Sequence, residues 1–375
     1  MRKIWGFFIL PCLLVVGVPM PGQISRQRPA VIPENDDVGQ YRNSWRVLDP
    51  ITRGNLSLFP VVTGLRVDTS GFITLDEGVS SGIVKIAERG QLGSPLYRPR
   101  DGRRPLQPEQ AWPSPGGPSV NELMLVNESS RPLILLAGEV VSGGKQNRII
   151  GADMVVPPKS DPVPLSVFCV EHGRWTPGGS GFTSAGAIAH PKVRMEAQAN
   201  RSQQGVWDSV GGAAAALRAT PSPTQSYVDV LNSPAVKRDL EEAAASIETD
   251  YERELGEKLR GGGAVGVVVA INGELVWTDV FPSAELFGKY WPKLLRSYIM
   301  EAKEYPQWSK GMLVSRRAAE GFLFESRGHL TVEVEPEVYR RTQIAGNDYQ
   351  VVALEALGKW EKASLLLHYN KMARS

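Results

Sequence analysis

The chain predicts an α+β fold built on a mainly antiparallel sheet with a central helical block, and three observations carry that prediction. Strand-like runs cluster between about residues 55 and 170 and again after residue 263, instead of alternating one by one with helices as a parallel α/β sheet requires. The stretch between them, from Arg201 to Leu259, carries apolar residues at helical spacing. Asn272-Gly273 sits between two apolar runs, and this dipeptide suits the two-residue hairpin turn whose central residues both need positive φ.

Taken in order, Arg2 and Lys3 precede an uncharged apolar stretch from Ile4 to Val18, followed by Pro19, Pro21 and Gly22. This layout predicts a signal peptide over residues 1–22 and an exported, periplasmic or secreted, protein. Contact with a membrane is expected only through that leader if it stays uncleaved. Residues 23–44 are polar and proline-containing and read as a disordered tether, with one ordered domain over 45–375. Strands are expected at 55–62, 72–75 and 81–87. An insertion loop rich in proline, glycine and arginine covers about 91–119, and its interspersed arginines favour an exposed loop over a basic arm.

Residues 122–126 and 133–136 read as a strand pair joined by 127–132, and Val163 to Val170 as a further strand whose Pro164 marks an edge or the start of its ladder. Helices are expected from Arg201 to Leu217, where Gly211-Gly212 threatens a split, and from Ser233-Pro234 to Leu259. A further helix over 285–302 contains Pro292, which must kink it or mark its true start. Strands at 330–335, 350–354 and 364–369 close the domain.

A net charge of +2 argues against a nucleic-acid binder that relies on phosphate neutralisation, so no nucleic-acid partner is expected. Of two cysteines, Cys12 lies in the leader, so Cys169 has no intramolecular partner once the leader is removed. His190, His329 and His368 show no ligand spacing, and no dedicated metal site is predicted; the residues name no cofactor.

Two polar clusters follow apolar runs and look built to present a site. In the first, Gly138 to Arg148, Gly143 and Gly144 permit a backbone anion cradle, with charge from Lys145 and Arg148 and a directional amide from Gln146. It is no nucleotide P-loop, because Gly144 holds the lysine position of that motif and no Ser or Thr follows Lys145. In the second, Cys169 to Trp175, Arg174 offers a fork for an oxyanion and Trp175 a stacking face. Glu139 and Glu171 are candidate catalytic carboxylates if both clusters reach one pocket. Each cluster also admits a bland reading, as a turn or loop pinned by its own ion pair. Cys169 and His172 invite a nucleophilic dyad, but a single cysteine on an apolar run reads as packing.

Thr74 to Glu77, Gly138 to Arg148, Cys169 to Trp175, Ser184 to Ala187, Gln204 to Trp207 and Val267 to Phe281 together resemble, in the same order, the ARG and rhodanese/phosphatase-superfamily-associated protein domain, a bacterial family named for its neighbours. ARG there stands for ADP-ribosylglycohydrolase. The resemblance covers about residues 55–302, implies ADP-ribose- or nucleotide-linked chemistry, and adds Glu77 as a third acid. Three readings follow: a binder of an anionic small molecule at the two clusters, a hydrolase using Glu139 and Glu171 on a glycosidic or phosphate-linked substrate, or a cell-envelope interaction module in which both clusters are braces.

Overall fold

The structure, a computed structural model, describes residues 29–31, 37–89, 92, 121–173, 181–258, 263–305, 313–358 and 364–374. The leader and nearly all of the 91–119 insertion lie outside these residues, as do Arg174 and Trp175.

Order begins inside the stretch expected to be a tether. Pro29–Val31 (β1) pairs with a strand near the carboxyl end, and Asp37–Ser44 is a helix (α1). Partners remote in sequence supply what the local polar composition lacks: Val38 is buried against the large sheet, and Arg42 donates to Ser326. Trp45–Val47 (β2), Ile51–Arg53 (β3) and Leu56–Thr63 (β4) follow. Ile73–Thr74 (β5) runs directly into Leu75–Ser80 (α2). A reciprocal cap causes the change, since Thr74 Oγ1 accepts from the Glu77 N–H at 3.3 Å and Glu77 Oε2 accepts from the Thr74 N–H at 2.8 Å.

The next eight strands are Val84–Glu88 (β6), Glu122–Asn127 (β7), Leu133–Leu135 (β8), Glu139–Gly143 (β9), Arg148–Ile150 (β10), Met154–Val156 (β11), Val163–Cys169 (β12) and Phe182–Ile188 (β13). Six of them close a barrel in the order β10-β12-β7-β6-β13-β9, filled by Ile86, Leu123, Leu125, Val141, Leu165 and Val167 among others. The strand pair expected from β7 and β8 does not form. Strand β8 joins β11 and β5 in a separate three-stranded sheet, because buried Asn127 donates to the carbonyls of Arg131, Val156 and Pro157 and turns the chain away. Pro164 behaves as expected: it faces β7 on one side, while pairing with β10 begins only at Val167.

The helical block contains Pro191–Met195 (α3), continued by a π-helical turn over Glu196–Asn200, then Gln203–Ala216 (α4), Tyr227–Asn232 (α5) and Pro234–Lys258 (α6). Gly211-Gly212 does not split α4, whose buried Val206, Val210 and Ala213 hold it through packing that outweighs about 1 kcal/mol of propensity per glycine. Ala264–Ile271 (β14) and Glu274–Val280 (β15) form the expected hairpin, with Asn272 and Gly273 at φ 51° and 83°. Pro292 lies within Ala284–Glu304 (α7), not at its start, and the long buried face of that helix overrides the break. Arg316–Phe324 (α8) precedes the closing strands Arg327–Glu335 (β16), Tyr339–Ala345 (β17), Tyr349–Ala356 (β18) and Leu365–Ala373 (β19). These join β14, β15 and the amino-terminal strands in a ten-stranded antiparallel sheet, with the run β1-β16-β17-β18-β19-β15-β14-β4-β2 and β3 beside β4. The fold class is therefore α+β. The sheet, the barrel and α7 together surround the buried charges described next.

Candidate functional site

Strands β9, β10 and β12 bring the two polar clusters to one end of the barrel. Arg148 pairs in register with Val141 on one side and with Cys169 on the other. The clusters then bond to each other: Gln146 Nε2 donates to the Glu171 carbonyl at 2.9 Å, the Asn147 N–H to Glu171 Oε2 at 3.0 Å, and the Val170 N–H to the Asn147 carbonyl at 3.1 Å.

The expected anion cradle has its donors already engaged. Gly143 N–H donates to Asn147 Oδ1, Gly144 N–H to the Gly181 carbonyl and Lys145 N–H to Glu88 Oε1. The glycines serve close packing. A Cβ on Gly143, at φ 139°, would lie 2.4 Å from the Gly181 oxygen, and one on Gly144, at φ 50°, would lie 2.3 Å from the Phe182 ring. Arg148 is 1% exposed and donates to the Asn147 carbonyl; Gln146 and Glu171 are also buried, whereas Lys145 is half-buried.

Cys169 is clamped at its backbone by Gln203, which donates to the Cys169 carbonyl and accepts from its N–H. Burial pushes its thiol pKa up, with the opposing pull of Arg148 too weak to reverse it, so it is a packing residue and a poor nucleophile. His172 turns edge-on to Trp207, their ring centroids 4.6 Å apart. Trp207 is half-buried, while Gln204 points to solvent and pairs with Asp208.

Glu139 does not join this end. It starts β9 whereas Gly143 ends it, a separation of about 13 Å at strand spacing. Its carboxylate turns to α7: Oε1 lies 2.6 Å from Lys293 Nζ, and Oε2 accepts from the Leu136 N–H at 2.8 Å. Glu139 and Glu171 therefore face different surroundings, and the condition for their acting as a catalytic pair, one shared pocket, is not met.

Lys293 gathers Glu139 with the motif segments at Thr74 to Glu77 and Ser184 to Ala187. Its ammonium also reaches Asp76 Oδ2 at 2.8 Å and lies 4.6 Å from the Tyr290 ring centroid, and Asp76 in turn accepts a hydrogen bond from Ser184. One turn earlier, Lys289 meets Glu77 at 2.9 Å. Burial pushes Glu139 above the ordinary carboxylate range despite Lys293, whereas for Asp76 burial is outweighed by the same ammonium and its pKa falls. Burial alone would depress Lys293, but Glu139 and Asp76 raise it. The lysine is thus charged and fixed in place. It lines a cavity of about 210 Å³ between β13, α5, α6 and α7, with Gly186, Lys237, Leu240, Glu241 and Arg296 also in the wall. Arg296 makes a two-pronged contact with Glu241, at 2.9 and 2.6 Å.

A second buried group locks the large sheet to the barrel side. Asp279 on β15 receives both terminal nitrogens of Arg194 at 2.9 and 3.0 Å, His368 Nε2 at 3.0 Å, Asn370 at 3.0 Å, Trp277 at 3.0 Å and the Tyr298 hydroxyl. His368 Nδ1 lies 2.6 Å from Asp153 Oδ2, and Asp153 Oδ1 accepts from the Ala137 N–H. Burial would raise Asp279, but Arg194 and His368 outweigh it and hold the carboxylate well below the usual range.

The histidines also depart from expectation, for His190 meets Glu301 and Glu304 in a group with metal-ligand potential that no local spacing announces. Sequence reasoning missed Lys293 because it lies in a helix whose apolar stripe drew the reading. Asp76 could have been found from the Thr-x-x-Glu cap signature at Thr74 to Glu77.

Compared with known families, residues 44–366 match the profile of the ARG and Rhodanese-Phosphatase-superfamily-associated Protein domain. The chain belongs to this family. The family match extends past residue 302, through β16, β17 and β18 and into β19, so the domain includes the sheet that carries His368 as well as the barrel. Comparison with curated proteins and with solved structures finds no match.

Proposed function

We propose that the protein binds a small anionic ligand, a phosphate or carboxylate group of a nucleotide- or ADP-ribose-like molecule, in the cavity beside Lys293. One observation carries this reading: three cationic side chains, Lys237, Lys293 and Arg296, line the cavity, where Glu241 is the one lining carboxylate, while Asp76 and Glu139, outside the lining, pair with Lys293. Its volume suits a phosphate with a short attachment more than a whole dinucleotide, since drug-sized pockets begin at about 300 Å³. The family's naming after ADP-ribosylglycohydrolase neighbours is consistent with this ligand class, as context and not as mechanism.

In this reading the clusters at 143–148 and 169–173 are braces of the barrel end, and Asp76 and Glu139 are the pair that positions Lys293. Hydrolysis by paired Glu139 and Glu171 is disfavoured, because the two carboxylates have separate partners. The leader supports a site of action outside the cytoplasm. Among the described residues no helix is long and apolar enough to cross a membrane.

Calorimetric titration of the purified chain with pyrophosphate and with ADP-ribose tests the proposal. Binding by at least one of them, weakened tenfold or more in Lys237→Gln and in Arg296→Gln, is the expected result. Affinity unchanged in both variants but lost in Lys145→Gln would move the ligand to the barrel end and overturn it.

A further inference from the structure

His190, Glu301 and Glu304 form a second group, none of whose side chains lines the Lys293 cavity. His190 precedes Pro191 at the start of α3, where its φ of −66° and ψ of 158° hold it extended. Glu301 and Glu304 are three apart near the end of α7, and side chains at that spacing share a helix face. His190 Nε2 lies 2.8 Å from Glu304 Oε1 and 3.9 Å from Glu301 Oε2, with the three side chains 0%, 7% and 5% exposed.

The group is underbonded at two atoms. Although His190 Nε2 and Glu304 Oε1 are 2.8 Å apart, they are not aligned as donor and acceptor, and both atoms are buried without a hydrogen-bond partner. A buried polar pair left in that condition is costly unless something lies between.

The other side of the imidazole indicates what that is. The Tyr227 hydroxyl accepts from the His190 backbone N–H at 3.1 Å, lies 2.8 Å from His190 Nδ1, and donates to Met300 Sδ at 3.3 Å. A hydroxyl that gives its one proton to sulfur can accept from Nδ1–H, and in that tautomer Nε2 presents its lone pair to the carboxylates. A hydrogen bond to the distal nitrogen that fixes tautomer and ring is the usual support of a metal-binding histidine. Glu301 Oε2 is itself held by the Lys192 N–H at 2.9 Å.

The geometry points to a binding site for a divalent first-row cation, such as zinc or manganese, held by His190 Nε2, Glu301 and Glu304. Bonds of about 2.0–2.2 Å would put neighbouring ligand atoms roughly 2.9 Å apart at a right angle and about 3.4 Å apart at a tetrahedral one, and the two distances here bracket that range. One imidazole with two carboxylates suits zinc, manganese or iron over calcium, which takes oxygen ligands alone. A cavity of about 410 Å³ lined by Pro191, Lys192, Glu301 and Tyr305 adjoins the group at Glu301.

The test uses the full chain, stripped with EDTA and retitrated with zinc chloride or manganese chloride, with bound metal counted by mass spectrometry. One equivalent per chain and a rise in Tm on loading are expected. Glu304→Gln should lower affinity at least a hundredfold, and Tyr227→Phe, which leaves every ligand in place, about tenfold. Circular dichroism checks that each variant folds, and the wild-type stoichiometry stands even where one does not. Failure of the stripped wild type to take up either metal, with Tm unmoved, would overturn the assignment in favour of a bare imidazolium–carboxylate pair. Full affinity in a folded Glu304→Gln variant would do the same.

Discussion

The groups centred on Asp279 and on Lys293 both bury a cation among carboxylates, yet one is closed and the other has an open side. Around Asp279, Arg194, His368, Asp153 and Asn370 are all 0% exposed, and the Asp279 carboxylate accepts from five side chains. Around Lys293, Glu139 is fully enclosed, but the Asp76 side chain is 37% exposed and the ammonium lines a cavity. A closed network specifies how layers dock, whereas one with an open edge can exchange a partner with a ligand. The difference separates the scaffold of this protein from its candidate site.

Breaking the closed group should cost most. Asp279→Ala strands Arg194 and His368 without their counter-charge, and we expect a loss of about 5 kcal/mol or failure to accumulate as folded protein, read by urea denaturation. Lys293→Met should cost about 3 kcal/mol, less because Glu139 already has a raised pKa and can accept a proton instead. The deficit should therefore shrink as pH falls, and Lys293→Met combined with Glu139→Gln should recover part of it.

A third effect sharpens the comparison through pH. Burial opposes protonation of His368, but Asp153 and Asp279 push its pKa up to about 9. A raised histidine pKa gives stability that is complete below its unfolded value of about 6.5 and is lost as pH climbs through the folded one. The stability gap between wild type and His368→Gln, on the order of 3 kcal/mol at pH 6, should close between pH 6.5 and 9. Smallest of all, Lys237→Gln should move stability by less than about 0.5 kcal/mol while weakening anion binding, since Lys237 is solvent-exposed.

Local signals in the chain made part of this legible. The Asn272-Gly273 hairpin and the helix from Ser233-Pro234 follow from turn and cap chemistry, which acts within a few residues. Strand β17 was not legible, because Tyr339-Arg-Arg-Thr-Gln-Ile-Ala345 lacks an apolar alternation and is held as a strand by β16 and β18. Closure of the barrel was hidden for the same reason, as its strands span residues 84–188 and pair out of order.

Within the site, the sequence points to segments that the structure brings into contact, through partners that spacing does not reveal. Gly143 and Gly144 suggest a cradle in sequence, but contact with Gly181 and Phe182 is what requires them. Glu139 resembles a partner of Glu171 in sequence, but it belongs with Lys293, 154 residues away. No spacing rule reaches that far.

In the proposed function small anions settle beside Lys293 and not at the glycine-bearing end of the barrel. Crystals soaked in sodium tungstate, a strongly scattering oxyanion, test it by locating the tungsten in anomalous difference maps. A peak within reach of Lys237, Lys293 and Arg296 is expected; a peak over Gly143 to Lys145, or none at all, would overturn the proposal.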